Sequence, residues 1–275
     1  MKQDKRYIKF DLKIYIIIYI IINMYLIDKI NHSRTTLKEI LDKEWDTDSI
    51  PNLSNKELEI MYANTNTNAY ESSGCNITLN HRFIKGHKLH IIYYNFPELN
   101  RSGTKVNKTC CEKLIALYKT EGIEDDFDAP FEKDDSLLVI INEKISDSMQ
   151  KSVEETYLKG QEELNRIGLR PEIEKSIKSK KNSYNVSHFR NIHMFHIDTL
   201  INNLLEHRLV PYHEPIRNQA DISNLLTKLN ATRSQLPVIL RTDPIAKLHR
   251  LAPGDICKIV RKSNKSGESI YYRVC

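Results

Sequence analysis

The sequence predicts two units of different class, an α/β unit over residues 28–190 and a small α+β unit over residues 191–275. Three observations carry this. Lys88–Phe96, Lys108–Thr120 and Leu137–Ile141 read as strand, helix and strand, an order that implies a parallel pair joined by a right-handed crossover. A polar, lysine-rich stretch follows Pro171 and separates this pattern from a new one that begins at Ile192. The tail then gives a helix start at Thr242-Asp243-Pro244, a turn at Pro253-Gly254-Asp255 and two short strands around Gly267. A chain of 275 residues is long enough for two such cores.

Residues 1–27 form an apolar N-terminal extension. The run Ile14–Ile22 follows five basic residues and is carried past Asn23 into Met24-Tyr-Leu-Ile27. It is shorter than the ~18 apolar residues of a spanning helix, Asn23 interrupts it, and no small-x-small cleavage site follows. Its Ile and Tyr content favours a strand. A start at Met24 has equal weight, and a membrane anchor over residues 7–27 is the third reading.

A helix is expected from Ser33 to near Trp45, with Leu37, Ile40 and Leu41 on one face. Ser54-Asn-Lys-Glu57 is a capping box that opens a second helix bearing Leu58, Met61 and Tyr62. Residues 64–80 read as a loop. Lys88–Phe96 is a strand limited by Pro97, and Cys111, Leu114, Ile115 and Tyr118 share a face of the helix after it. An acidic loop from Glu124 to Asp135 leads into the wholly apolar strand Leu137–Ile141. A helix follows from about Ser148 to Arg166, with Met149, Val153 and Tyr157 inward. Residues 171–187 read as a basic, solvated linker insertion.

In the second unit, Ile192–Ile197 alternates and Leu200–Leu205 reads as apolar. Asp221 caps a helix bearing Leu225, Leu226 and Leu229. Asp243 caps the next one with Pro244 at its first position, where a missing N–H costs nothing. Strands Ile256–Arg261 and Ile270–Val274 close a hairpin.

Composition limits the chemistry. Residues 241–275 hold eight Lys/Arg and three Asp/Glu, a surplus equal to the +5 of the whole chain, so the C-terminal face is expected to be basic. A solvated face or a surface for an acidic protein partner is favoured over nucleic acid there. The five cysteines include no Cys-x-x-Cys pair, and Cys110 and Cys111 are adjacent, which fits a reducing intracellular compartment and no zinc site. His188, His193, His196, His207 and His213 lack both cysteine partners and a His-Glu-x-x-His helix, and read as packing residues. A nuclease would need an acidic residue plus Glu/Asp-x-Lys at a strand edge, whereas Leu137–Ile141 is followed by Asn142-Glu143-Lys144-Ile145. No phosphate loop or Gly-x-Ser-x-Gly elbow occurs. No catalytic residue, metal or cofactor is therefore expected.

The tail order Leu236-Pro237, Arg241-Thr242-Asp243-Pro244, Pro253-Gly254-Asp255, Arg261-Lys-Ser263, Gly267 and Tyr272-Arg273, preceded by His207-Arg-Leu-Val-Pro211-Tyr-His213, resembles the C-terminal domain of the fifth-largest subunit of eukaryotic RNA polymerases and its archaeal counterpart. The N-terminal half resembles that family's eukaryotic jaw domain, with its nuclease-like core, at Ser33-Arg-Thr-Thr-Leu, Leu89–Pro97, Cys110–Ile123 and Leu137–Lys151. The resemblance implies a mixed sheet in a C-terminal assembly domain that packs on the largest polymerase subunit, with other polymerase subunits and downstream DNA as partners and no small-molecule ligand. His207, Pro211, His213, Pro237, Thr242, Asp243, Pro244, Gly254, Arg261, Ser263, Gly267, Tyr272 and Arg273 would supply fold and docking surface. Lys144, Ser146, Ser148 and Lys151 would face DNA, although Asp147 stands where the family usually has Pro and would repel phosphates. Arg250 stands where Gly is usual, Ala252-Pro253 where a basic pair is common, and Arg208 where Glu is usual. The abundance of Ile, Asn and Lys fits AT-rich coding, hence a large DNA virus with its own polymerase, in virion or host cytoplasm, or an AT-rich protist with a nuclear enzyme. A membrane-attached protein and a metal-dependent nuclease are the competing classes.

Overall fold

The computed structural model describes residues 25–63, 75–94, 109–115, 118, 130–179, 184–263 and 265–275. The apolar run Ile14–Ile22, most of the 64–80 loop, the Phe96-Pro97 strand end and the acidic segment at 124–126 lie outside the described residues.

Helix α1 covers 25–41. Leu26, Ile27, Ile30, Leu37 and Leu41 recur at helical spacing and are all buried in one cluster. Tyr25, Leu26 and Ile27 are thus the described start of a core helix, not the end of a separate extension or a strand. Ser33, expected to begin this helix, lies inside it, where its hydroxyl donates to Ile30 O at 2.8 Å and meets the Tyr93 hydroxyl at 2.8 Å. Helix α2 (Asn55–Ala63) opens on the expected box: Ser54 N–H donates to Glu57 Oε2 at 2.7 Å and Glu57 N–H to Ser54 Oγ at 3.4 Å. The Ser54 N–H and the Ser54 hydroxyl, both donating to Glu57 Oε2, hold the Glu57 carboxyl below its ordinary pKa.

Four strands form the first sheet in the order β1-β2-β3-β4: β1 (Ile77–Asn80), β2 (Lys88–Tyr93), β3 (Ser136–Ile141) and β4 (Ile192–His196). β1 and β2 are antiparallel, whereas β2–β3 and β3–β4 are parallel, as strand-helix-strand order requires. Alternation along β3 divides the core. Leu138 and Ile140 join α1, and Leu137, Val139 and Ile141 join α3 (Thr109–Ile115) and α4 (Asp147–Ile167) on the other face. A strand covered on both faces has no polar side to show, which is why it reads as an unbroken apolar run.

Several expectations are corrected here. β4 completes this sheet, so the two sheets part between His196 and Tyr212 and not at residue 191. Residues 171–179 are no linker: α5 (Pro171–Ser179) starts on proline, carries Glu172 and Glu174 in its first turn, and packs Ile173 against Ile84, Leu164 and Phe189. Asp134 and Asp135, at the end of the expected acidic loop, are buried. Arg170 Nε donates to Asp134 Oδ1 at 2.7 Å, and His90 Nε2 reaches Asp135 Oδ2 at 2.9 Å. The apolar segment Leu200–Leu205 joins two 3-10 turns, Ile197–Leu200 and Leu204–Glu206, with Leu204 and Leu205 packed on the α1 cluster.

The second sheet has the order β5-β6-β7, from β5 (Tyr212–Ile216), β6 (Ile256–Ser263) and β7 (Gly267–Val274), all antiparallel. A parallel bridge from Val238 to Val274 makes it mixed. Helix α6 (Gln219–Leu229) is capped by Asn218, which accepts from Ala220 N at 3.1 Å, and not by Asp221, which lies in its first turn. Ile222 is its buried anchor, while Leu229 remains 40% exposed. Among the described residues no helix is long and apolar enough to cross a membrane.

Candidate assembly interface

Local chemistry shapes the C-terminal unit before any partner is considered. The Asp243 carboxylate accepts from Ile245 N at 2.8 Å and Ala246 N at 3.3 Å, and Pro244 sits at the first position of α7 (Pro244–Leu248). That start directs Ala246 and Leu248 inward. Gly254, at φ +95°, occupies the left-handed region that favours glycine, and its N–H donates to Cys275 O at 3.0 Å. Gly267 makes the hairpin turn at φ +72°, and Ser263 pairs with it across the hairpin. The Arg273 guanidinium donates to Val238 O at 3.0 Å, tying β7 to the strand-like segment beside it.

Register sorts the sheet into two faces. Cys257 and Ile259 turn inward to Ile239, Ala246 and Leu251. On the opposite face, Tyr212, Val260 and Ile270 form one cross-strand row, and Glu214, Lys258 and Tyr272 the next, with Lys258 Nζ 3.1 Å from Glu214 Oε2. Tyr212 and Ile270 are each 53% exposed, and Val238 and Leu240, flanking buried Ile239, are 59% and 67% exposed. Large apolar side chains held open to water on several adjoining segments mark a contact surface.

The named docking candidates divide accordingly. His207, Pro237, Pro244, Arg261 and Gly267 are exposed, whereas Pro211, His213, Thr242, Asp243, Gly254, Ser263, Tyr272 and Arg273 are partly covered. Burial pushes the His213 imidazole below its ordinary pKa, and its Nδ1 lies 2.6 Å from Pro211 O. The exposed apolar residues Val238, Leu240, Ile270 and Leu209 escaped the sequence reading, because an apolar residue in an alternating strand reads first as core.

The tail is less basic outside than its composition implies. Arg241 and Arg250 are buried, and the exposed cations are Arg261, Lys262 and Lys265 near the hairpin tip. Arg241 reaches the first unit: Nη1 donates to Glu154 Oε2 at 2.9 Å, Nη2 to Asn191 Oδ1 at 3.0 Å and Ile192 O at 2.7 Å, and the guanidinium lies 3.7 Å from the centre of the Tyr157 ring. Asp255 does the same from the turn, accepting from His188 Nε2 at 2.7 Å and Ala252 N at 2.9 Å. Arg217 pairs with Glu44. Such contacts join residues far apart in sequence and leave no local signal.

Lys144, Ser146, Ser148 and Lys151 are all exposed and lie together at the N-terminal end of α4. Ser146 is the cap, accepting from Met149 N at 3.3 Å, and Asp147 occupies the first turn, where the helix dipole favours a carboxylate. Asp147, Lys151, Glu154 and Leu158 line an open groove with Thr242 of the second unit, so one DNA candidate and one docking candidate share a surface. Among the described residues no group of three or more His, Cys, Asp or Glu side chains is placed to hold a metal ion.

Residues 202–275 match the family model described as RNA polymerase Rpb5, C-terminal domain. The "DNA-directed RNA polymerase subunit Rpo5" of Methanococcoides burtonii is 46% identical over 71 residues, which are 26% of this chain and 90% of that protein. The chain belongs to the Rpb5/Rpo5 family. Rpo5 of Archaeoglobus fulgidus is also 46% identical over 71 residues, 26% of this chain and 92% of its own length. The "DNA-directed RNA polymerases I, II, and III subunit rpabc1" of Dictyostelium discoideum is 37% identical over 84 residues, 30% of this chain and 42% of that protein. The archaeal Rpo5 chains correspond almost whole to the unit that carries β5, β6 and β7, and membership in the Rpb5/Rpo5 family rests on that unit.

Proposed function

We propose that this chain is a non-catalytic subunit of a multisubunit DNA-directed RNA polymerase, docking on the largest subunit through its C-terminal unit and presenting the N-terminal unit toward downstream DNA. One observation carries the reading: a stretch of 71 residues covers 90% of an archaeal polymerase subunit, so this unit is equivalent to a complete subunit on its own. The apolar surface of Tyr212, Val238, Leu240 and Ile270 supports a protein partner, because leaving it in water would forgo roughly 25 cal/mol per Å² of burial. The α4 N-terminus supplies Lys144 and Lys151 for phosphates, with Asp147 limiting that contact.

The test is affinity purification of the tagged full chain from its native source. Recovery of the two largest polymerase subunits is expected. Leu240→Glu and Arg273→Glu should reduce recovery, Asp243→Ala should reduce it through a loosened α7, and Lys144→Ala should leave it nearly intact. A preparation lacking both large subunits overturns the proposal.

A further inference from the structure

The second sheet is left open along its outer side. Val238 bridges Val274 at the end of β7, where Val274 N–H donates to Pro237 O at 2.9 Å and Ile239 N–H to Val274 O at 2.8 Å. Those two bonds fix which backbone groups of β7 face away from β6: they belong to Val274 and, by alternation, to Tyr272 and Ile270. The bridge stops there for a local reason. The next bond of a parallel ladder would run from the N–H of residue 237 to Tyr272 O, and Pro237 has no N–H to give. Among the described residues no backbone group outside the sheet bonds the outward N–H or C=O of Ile270 or Tyr272.

Nothing on the strand blunts this edge. Proline, a bulge or charge usually does so, whereas Ser269-Ile270-Tyr271-Tyr272 pairs with β6 in unbroken register and leaves Ile270 53% and Tyr271 49% exposed. Alternating donors and acceptors at strand spacing match another polypeptide backbone, not a nucleic acid. Charge narrows the choice further. From Ile256 to Cys275 the charged side chains are Lys258, Arg261, Lys262, Lys265 and Arg273 against Glu268. Lys258 is taken by Glu214, and among the described residues none of the other cations has a carboxylate within ion-pair distance. Arg261 lies instead over the Tyr271 ring, 5.1 Å from its centre. Arg261, Lys262 and Lys265 are exposed on a two-stranded ribbon that runs past β5, whose pairing with β6 ends at Val260.

We propose that the outer edge of β7, from Glu268 to Tyr272, receives an extended, acidic segment of the polymerase partner as an added strand. This rests on the reading of the chain as a polymerase subunit, and it gives the apolar docking surface a backbone component.

Amide hydrogen exchange of the free full chain is compared with that of the chain in its affinity-purified polymerase. Exchange at Ile270 and Tyr272 should slow about a hundredfold or more in the complex, as for groups drawn into a ladder. Ile270→Pro removes an N–H that bonds nothing in β6, a place where an edge strand tolerates proline. It should lower recovery of the two largest subunits about tenfold, while Ile270→Thr retains most of it. Lys262→Glu with Lys265→Glu should lower recovery as well and flatten its dependence on salt. Unchanged exchange at both amides, in a complex that holds the large subunits, overturns the added strand and leaves the polymerase reading standing. Slowing reproduced by duplex DNA alone, or by concentrating the free chain, overturns it too, as does equal recovery by Ile270→Pro and Ile270→Thr. Recovery indifferent to the lysine reversals overturns the acidic partner. A wild-type chain that recovers neither large subunit sinks both readings.

Discussion

Both terminal nitrogens of Arg241 have acceptors from the first unit, and its plane lies on Tyr157, so a charge that is costly to bury becomes a positioned contact. Arg241→Met keeps most of the volume and loses these bonds. It should destabilise the chain by about 2–4 kcal/mol in urea unfolding. Histidines give the second prediction at this scale. Burial first, then neighbouring cations, hold His87 and His193 well below the usual imidazole pKa, and burial with Arg217 pushes His249 down to about 3. The unfolded chain takes up these protons near pH 6.5 while the folded chain does not. Stability is therefore full above that pH and falls as pH drops from about 6.5 toward 3, by up to about 1.4 kcal/mol per unit for each histidine. Urea midpoints at pH 7, 6 and 5 measure the slope, and His193→Gln should flatten it. Of these three, only His193 belongs to the cluster of histidines visible in the sequence. Which histidines are buried among cations was not visible there, because Arg241 and Arg250 arrive from another part of the chain.

At the scale of elements, legibility followed locality. β3, α4 and α7 were readable because their signals lie within them: an unbroken apolar run, an inward stripe of Met149, Val153 and Tyr157, and an Asp-Pro start. α5 was not, because lysines at 175 and 178 outweighed the Ile173 and Ile177 pair that marks a helix face. Its packing is testable. Ile173→Asp places a carboxylate beside Leu164 and Phe189, and should cost about 3 kcal/mol or more and expose 171–179 to proteases. A solvated linker would tolerate it. Asp243→Ala should cost about 1 kcal/mol by removing two acceptors from the start of α7. The candidate site was legible in the same uneven way: the cap, the turns and Arg273 stood out as motifs, while Val238 and Leu240 gained meaning only once Ile239 between them proved buried.

Across the whole molecule, one question is whether the two sheets behave as one body. Leu248 from α7 enters the cluster built by α1, β2 and Trp45, while a His188–Asp255 hydrogen bond and the ion pairs Arg217–Glu44 and Arg241–Glu154 cross the junction. Several buried bonds and an inserted side chain couple the units more strongly than a flexible linker would. Yet the archaeal relative from Methanococcoides burtonii matches this unit over 90% of its length, so the core of Ile239, Leu251, Cys257 and Ile259 need not depend on the first unit. Both statements hold together if residues 202–275 fold alone at lower stability and gain the rest from the junction. Calorimetry of the full chain should then show a single transition. The isolated 202–275 fragment should show a cooperative transition of its own at lower temperature, because Leu248, Arg217 and Arg241 lose their partners. A full-chain variant carrying Arg241→Met and Asp255→Asn should begin to separate the two. A fragment with no cooperative transition would mean that the junction is part of the core of both units, and that the C-terminal unit of this chain has become dependent on the helices and sheet that precede it.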